Sequence, residues 1–341
     1  MSSIVTAQND QSSLFVHAQN LQELRVELSH GQALALSSFL NPKSSQGSIS
    51  WQAYEESRNE IPSLILAAAA SAKDPIEGVG DVALAVLQWQ DTIYTVKRSI
   101  TETRPADYNI QKVTSSFAEV EQAMTRAVAK MVEAPSYYTL FRTLGVVASI
   151  LAGLGFLLAS WLSAQRTHRV INIGLTIGLV AMIGVIITVQ LFVARSSELS
   201  NADDQANQLS QAQYQTWDCQ SLSALSILLP DSPEDFSSSA LKLANSVLDQ
   251  VAGWNDLSDS ATAVVGIQEK IAETDNPMEL MLNSSVWHDS ASAISDIITV
   301  IRPSPDSLAE PIWYSITLAG LCAVAVTATV VGINVRTKEY L

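Results

Sequence analysis
The sequence predicts an all-α membrane protein. It would carry two extracytoplasmic helical domains, each like a four-helix bundle, and three transmembrane helices, with a fourth span expected upstream of residue 1. Three observations predict this. The 341 residues are 48% hydrophobic and only 16% charged, against about 25% charged in an ordinary soluble domain, and mean hydropathy is +0.19. Three stretches carry no formal charge over a membrane's width. The segments around them repeat apolar residues at helical spacing.

The spans come first in the argument. A spanning helix needs about 20 mostly apolar residues. The stretches 143–165, 170–194 and 311–335 meet that need, each flanked by arginine at one or both ends. The short link 166–169 holds Arg166 and Arg169, and the tail 336–341 holds Arg336 and Lys338. Lysine and arginine mark cytoplasmic ends, so these four are the candidate cytoplasmic contacts. Segments 1–141 and 195–310 then lie outside, with Tyr137, Tyr138, Phe141, Trp313 and Tyr314 as an interfacial aromatic belt. The opposite topology is opposed by the arginines. A 141-residue outer domain needs a signal to cross, and Met1–Gln8 has neither a basic nor an apolar signal region. This is why a further span is expected upstream.

Segment 1–141 divides into four helices. In the first, Leu14, Leu21, Leu28 and Ala35 recur every seven residues, with Leu24 and Phe39 beside them. Asn41–Gly47 should close it, Ser71–Gly80 the second helix and Arg104–Pro105 the third. Val82, Val86, Trp89, Ile93, Val96 and Ile100 mark the third helix's seam. Ile110, Val113, Phe117, Val120, Met124, Ala127 and Met131 mark the fourth's. Such seams pack helices lengthwise.

Segment 195–310 follows a similar plan. Its first helix should end at Leu229–Pro230, further breaks fall near Gly253 and Asp275–Pro277, and a last helix is expected at about 281–301. Ala224-Leu225-Ser226 before Pro230 echoes Ala35-Leu36-Ser37 before Pro42, and Tyr54 and Phe236 each lie early in the following helix. The chain thus reads as two units of span, helical domain, span.

Catalytic chemistry is not indicated. No phosphate-binding loop, dinucleotide fingerprint, HExxH or nucleophile elbow occurs. Two cysteines are too few for a disulfide framework, and four histidines leave little for a metal site. The expectation is no enzyme, no cofactor and no metal. His17, His30 and the neighbours His288 and Asp289 read as ordinary bundle residues, and Cys219 and Cys322 as buried thiols. A net charge of −15 argues against nucleic acid. The Gly174/Gly178 pair suits helix packing in a bilayer, and the spans lack the ionisable groups of an ion pathway. Candidate partner or ligand surface falls at the loop tips and nearby helix ends: Lys43, Lys97, Arg98 and Arg104 in the first domain, Asp231, Glu234, Asp235 and Asp275 in the second. The three cations Lys97, Arg98 and Arg104 could hold a carboxylate.

Three stretches carry a resemblance: Gln19-Asn20-Leu21 to Phe39-Leu40-Asn41-Pro42, Arg166-Thr167-His168-Arg169-Val170-Ile171-Asn172-Ile173-Gly174, and Arg336-Thr337-Lys338-Glu339-Tyr340-Leu341. With the layout of a two-span hairpin between helical domains, they resemble the GlnX family of actinobacterial multi-pass membrane sensors. The family generally has four spans. The resemblance implies a partnership with a glutamine-type solute-binding lipoprotein outside and the serine/threonine protein kinase G inside. It implies relay of a glutamate or aspartate signal to the control of glutamate and 2-oxoglutarate metabolism. A homo-oligomer stays open. The alternative is a structural or scaffold membrane protein of the cell envelope.

Overall fold
In the computed structural model, the structure describes residues 2–72, 78–100, 107–132, 173–303, 317 and 320–328. Every described regular element is an α-helix. In chain order these are α1 (Ser2–Leu40), α2 (Ser45–Ser71), α3 (Val79–Ser99), α4 (Asp107–Val132), α5 (Ile173–Leu228), α6 (Phe236–Val251), α7 (Asn255–Glu273), α8 (Pro277–Leu282) and α9 (Val286–Ile301). Residues 320–328 are also helical. The spans expected at 143–165 and most of 311–335 lie outside the described residues, as does the aromatic belt.

The described breakers act where the sequence places them, and the Arg104–Pro105 break lies outside the described residues. α1 stops at Leu40, and Ser44 caps α2 by accepting the Gly47 N–H at 2.9 Å. Gly78, at φ +99°, opens α3 in the left-handed region that suits glycine. Asn276 caps α8, with Pro277 in the first turn. One boundary differs. The last helix begins at Val286, because Asn283–Ser285 separates it from the short α8.

Two compact units emerge. The larger includes most of α1, all of α2 to α4, and the chain from Asp203 in α5 through to Arg302, and the other includes the start of α5 and residues 320–328. In the larger unit the predicted seams are core. Leu21, Leu24, Leu28, Ala35 and Phe39 are buried, as are Val82 to Val96 on the α3 seam and Ile110 to Ala127 on the α4 seam. α2 adds Tyr54, Ile61 and Ala68, seven apart. α3 lies against α4, α6 against α7, and α7 against α9.

The two helical segments that the sequence separates share one core here. A single buried cluster runs from Leu36 and Trp89 to Trp217, Leu225 and Trp287. The reason lies in α1. Its seam is one stripe at Leu21–Leu28, but from Gly31 to Leu40 nearly every residue is buried. A helix buried all round must be covered on all sides. α5 supplies part of that cover: His30 stacks on Trp217 with ring centres 4.2 Å apart, and Gln220 donates to Ser37 Oγ at 3.3 Å. The matching Ala-Leu-Ser turns at 35–37 and 224–226 both enter this core, with Ala35, Leu36, Ala224 and Leu225 buried. A second cluster joins α5, α6, α7 and α9 around Leu209, Val247, Leu257 and Ile294.

In the other unit, α5 begins with an apolar stretch. Among the described residues one helix is long and apolar enough to cross a membrane, with mean hydropathy 1.8 and only 19% of its most apolar window buried. Ile177, Val180, Ile183, Ile186, Ile187 and Leu191 are about half exposed or more. A soluble core helix would hide such side chains. Its opposite face meets residues 320–328: Ala181, Met182 and Ala325 form a small buried cluster, and a Cβ on Gly184 would come within 3.3 Å of Leu321. The small residue allows the close approach. Cys322 is exposed on this helix, contrary to expectation, while Cys219 is buried as expected.

Candidate functional site
The described tip residues stand on separate turns and helix ends. Lys43 is exposed in the turn before α2, and Arg98 is exposed near the end of α3. Lys97 is engaged: its ammonium lies 4.6 Å over the Trp51 ring, and burial lowers its pKa. Asp231 and Glu234 are exposed between α5 and α6, and Asp275 is exposed between α7 and α8. Asp235 has a structural role, accepting the Ser238 N–H at 3.0 Å as the cap of α6. Arg104, Arg166, Arg169, Arg336 and Lys338 lie outside the described residues.

What the fold does bring together is a polar hub on α1, α4 and α5. Arg25 donates to Glu121 Oε2 at 3.0 Å and to Gln211 Oε1 at 3.5 Å. Its guanidinium lies 4.1 Å over the Tyr214 ring, and the Tyr214 hydroxyl donates to the same Glu121 oxygen at 3.4 Å. Asp218, one turn further along α5, is a second half-buried carboxyl. Burial pushes its pKa up to about 6, the Glu121 charge adds to the rise, and Arg25 opposes it. One arginine thus serves two carboxyls. Sequence reading missed this because the acids and the arginine lie on three helices far apart in the chain.

Beside the hub lies a cavity of about 230 Å³ between α1, α2, α5, α8 and α9. His30, Trp217, Gln220, Trp287 and His288 form its polar and aromatic wall, while Leu34, Ile49, Met281 and Leu282 form the apolar part. Trp217 is central: His30 stacks on it and His288 tilts against it at 6.2 Å. Glu27 reaches His30 Nδ1 at 3.4 Å, which orients the ring. The neighbours His288 and Asp289 do not act as a pair, since Asp289 accepts from Ser285 Oγ at 2.7 Å. The Glu27-x-x-His30 spacing, one helical turn, was the available sequence signal for this site.

Among the described residues no group of three or more His, Cys, Asp or Glu side chains could hold a metal ion. His17 is occupied in packing: its Nδ1 lies 2.7 Å from the Ala68 carbonyl oxygen, and burial lowers its pKa. Trp89 Nε1 donates to Gln32 Oε1 at 2.8 Å, a buried pair that fixes α1 against α3. Comparison with protein-family models, with curated proteins and with solved structures finds no match for the chain.

Proposed function
We propose that the chain is a non-enzymatic multi-pass membrane sensor with its helical unit outside the cytoplasm. It would relay a glutamate or aspartate signal, received from a solute-binding lipoprotein, to a cytoplasmic serine/threonine kinase, as the resemblance to the GlnX family implies. One observation supports the reading above the rest. α5 is a single helix of 56 residues that begins in the apolar, half-exposed stretch and ends in the buried core. Tyr214 and Asp218 of the hub and Trp217 and Gln220 of the cavity lie on that same helix. A partner that favours one setting of these side chains would bias the position of the whole helix. The kinase would meet a small basic surface formed by Arg166, Arg169, Arg336 and Lys338.

The test is a crosslinked pull-down of the full chain from native membranes, with and without external glutamate, read by mass spectrometry. The expected result is capture of a solute-binding lipoprotein and a serine/threonine kinase, in amounts that change with glutamate. Good crosslinking to other neighbours but to neither partner would overturn the relay and leave the scaffold reading.

A further inference from the structure
We infer that the cavity at Trp217 binds a small, uncharged, planar ring compound directly. This goes beyond the relay, because it gives the chain a ligand of its own.

Size sets the first limit. A dry cavity of about 150 Å³ accepts benzene, and this one measures about 230 Å³. The space suits a fused two-ring compound. Ligands of drug or nucleotide size need roughly 300 Å³ or more.

Charge sets the second limit. No Asp, Glu, Lys or Arg lines the cavity. An ionised ligand would give up water there without a carboxylate, ammonium or guanidinium in the lining to replace it. A free amino acid carries an ammonium and a carboxylate, so glutamate is a poor fit. That agrees with glutamate acting through a partner protein.

Shape and polarity set the third. Two indoles and two imidazoles line part of the wall, and such rings favour offset or edge contacts with another ring. Gln220 holds Ser37 through its amide nitrogen, while its buried Oε1 has no hydrogen-bond partner. A small turn of this side chain offers that oxygen to a ligand N–H. At the mouth, Ile49 is 65% exposed and His288 is exposed, so an apolar ring meets an apolar threshold.

The probe is benzimidazole at pH 7.5, an uncharged fused ring with one donor and one acceptor. It is titrated calorimetrically into the full chain in nanodiscs, beside sodium glutamate. Saturable binding of benzimidazole, a raised Tm and no binding of glutamate are expected. Ala53→Trp fills the cavity from α2 and should weaken binding by about tenfold or more. His288→Ala, at an exposed position on the mouth, should weaken it severalfold and serves if the larger substitution does not fold. Three results would overturn the inference: no saturable binding, affinity unchanged in whichever variants fold, or glutamate binding as tightly as benzimidazole. The experiment uses the chain without partners, so its failure and that of the relay are told apart.

Discussion

Asp218 shows how one side chain's surroundings become a property of the whole fold. Its carboxyl is half-buried, the Glu121 charge adds to the effect of burial, and the Arg25 charge offsets them only in part, so its pKa is pushed up to about 6. An unfolded aspartate titrates near 4. A carboxyl with a raised folded pKa stabilises the fold most when protonated. That contribution is complete below about pH 4 and is lost as pH rises through about 6. Asp218→Asn stays neutral throughout. It should therefore flatten the fall in stability between about pH 4 and 6 and raise stability at pH 7.5 by about 1–3 kcal/mol. Thermal unfolding of the full chain in detergent at pH 4.5 and 7.5 checks this; an unchanged difference between the two pH values would refute the assignment. Nothing in the sequence around Asp218 announces its environment. The groups that set it, Arg25 and Glu121, come from α1 and α4, and only packing puts them beside α5.

Among the helices, the legible features are those set by local chemistry. The α3 and α4 seams are buried along their described length except for Ile100, which is half-buried at the end of α3. Seven-residue spacing defines a face whatever covers it. The breakers work for the same reason, since proline, glycine and capping serine act within a turn or two. Gly47 adds a constraint that spacing could not reveal. A Cβ there would lie 2.0 Å from the Asn41 carbonyl oxygen, because the turn before α2 folds tightly back on its first residues. Gly47→Ala must push that turn apart. The expected cost is about 3 kcal/mol, read as a Tm lower by roughly 6–12 °C. An unchanged Tm would show that the turn yields freely. Gly31, close to Ser57 and Trp89, marks a second close approach of α1 to its neighbours.

At the scale of the molecule, the apolar half of α5 is the described stretch long and apolar enough to cross a membrane. Its isoleucines face outward, with Ile183 and Ile187 about half exposed. In a bilayer this face meets lipid, and a central lysine costs about 2.5–3.5 kcal/mol. Replacing both Ile183 and Ile187 by lysine should therefore lower the fraction of chains whose α5 stretch inserts, read by protease protection of residues 203–302 in membrane vesicles, while the parent chain stays with the membrane on carbonate extraction. Extraction of the parent chain under the same conditions would exclude a membrane span.

The sequence by itself determined the helical class, the places where most helices begin and end, the apolar stretches and the stripes that become core. Each of these follows from residues within a few turns of one another. Tertiary structure alone decided that α1 is covered by both helical segments, that Arg25 serves two carboxyls and that Trp217 stands between two imidazoles. Those relations join residues as much as about 190 positions apart, as the Arg25–Gln211 contact illustrates. They depend on which faces meet once every helix has buried its stripe, and helical periodicity describes a face without naming its partner.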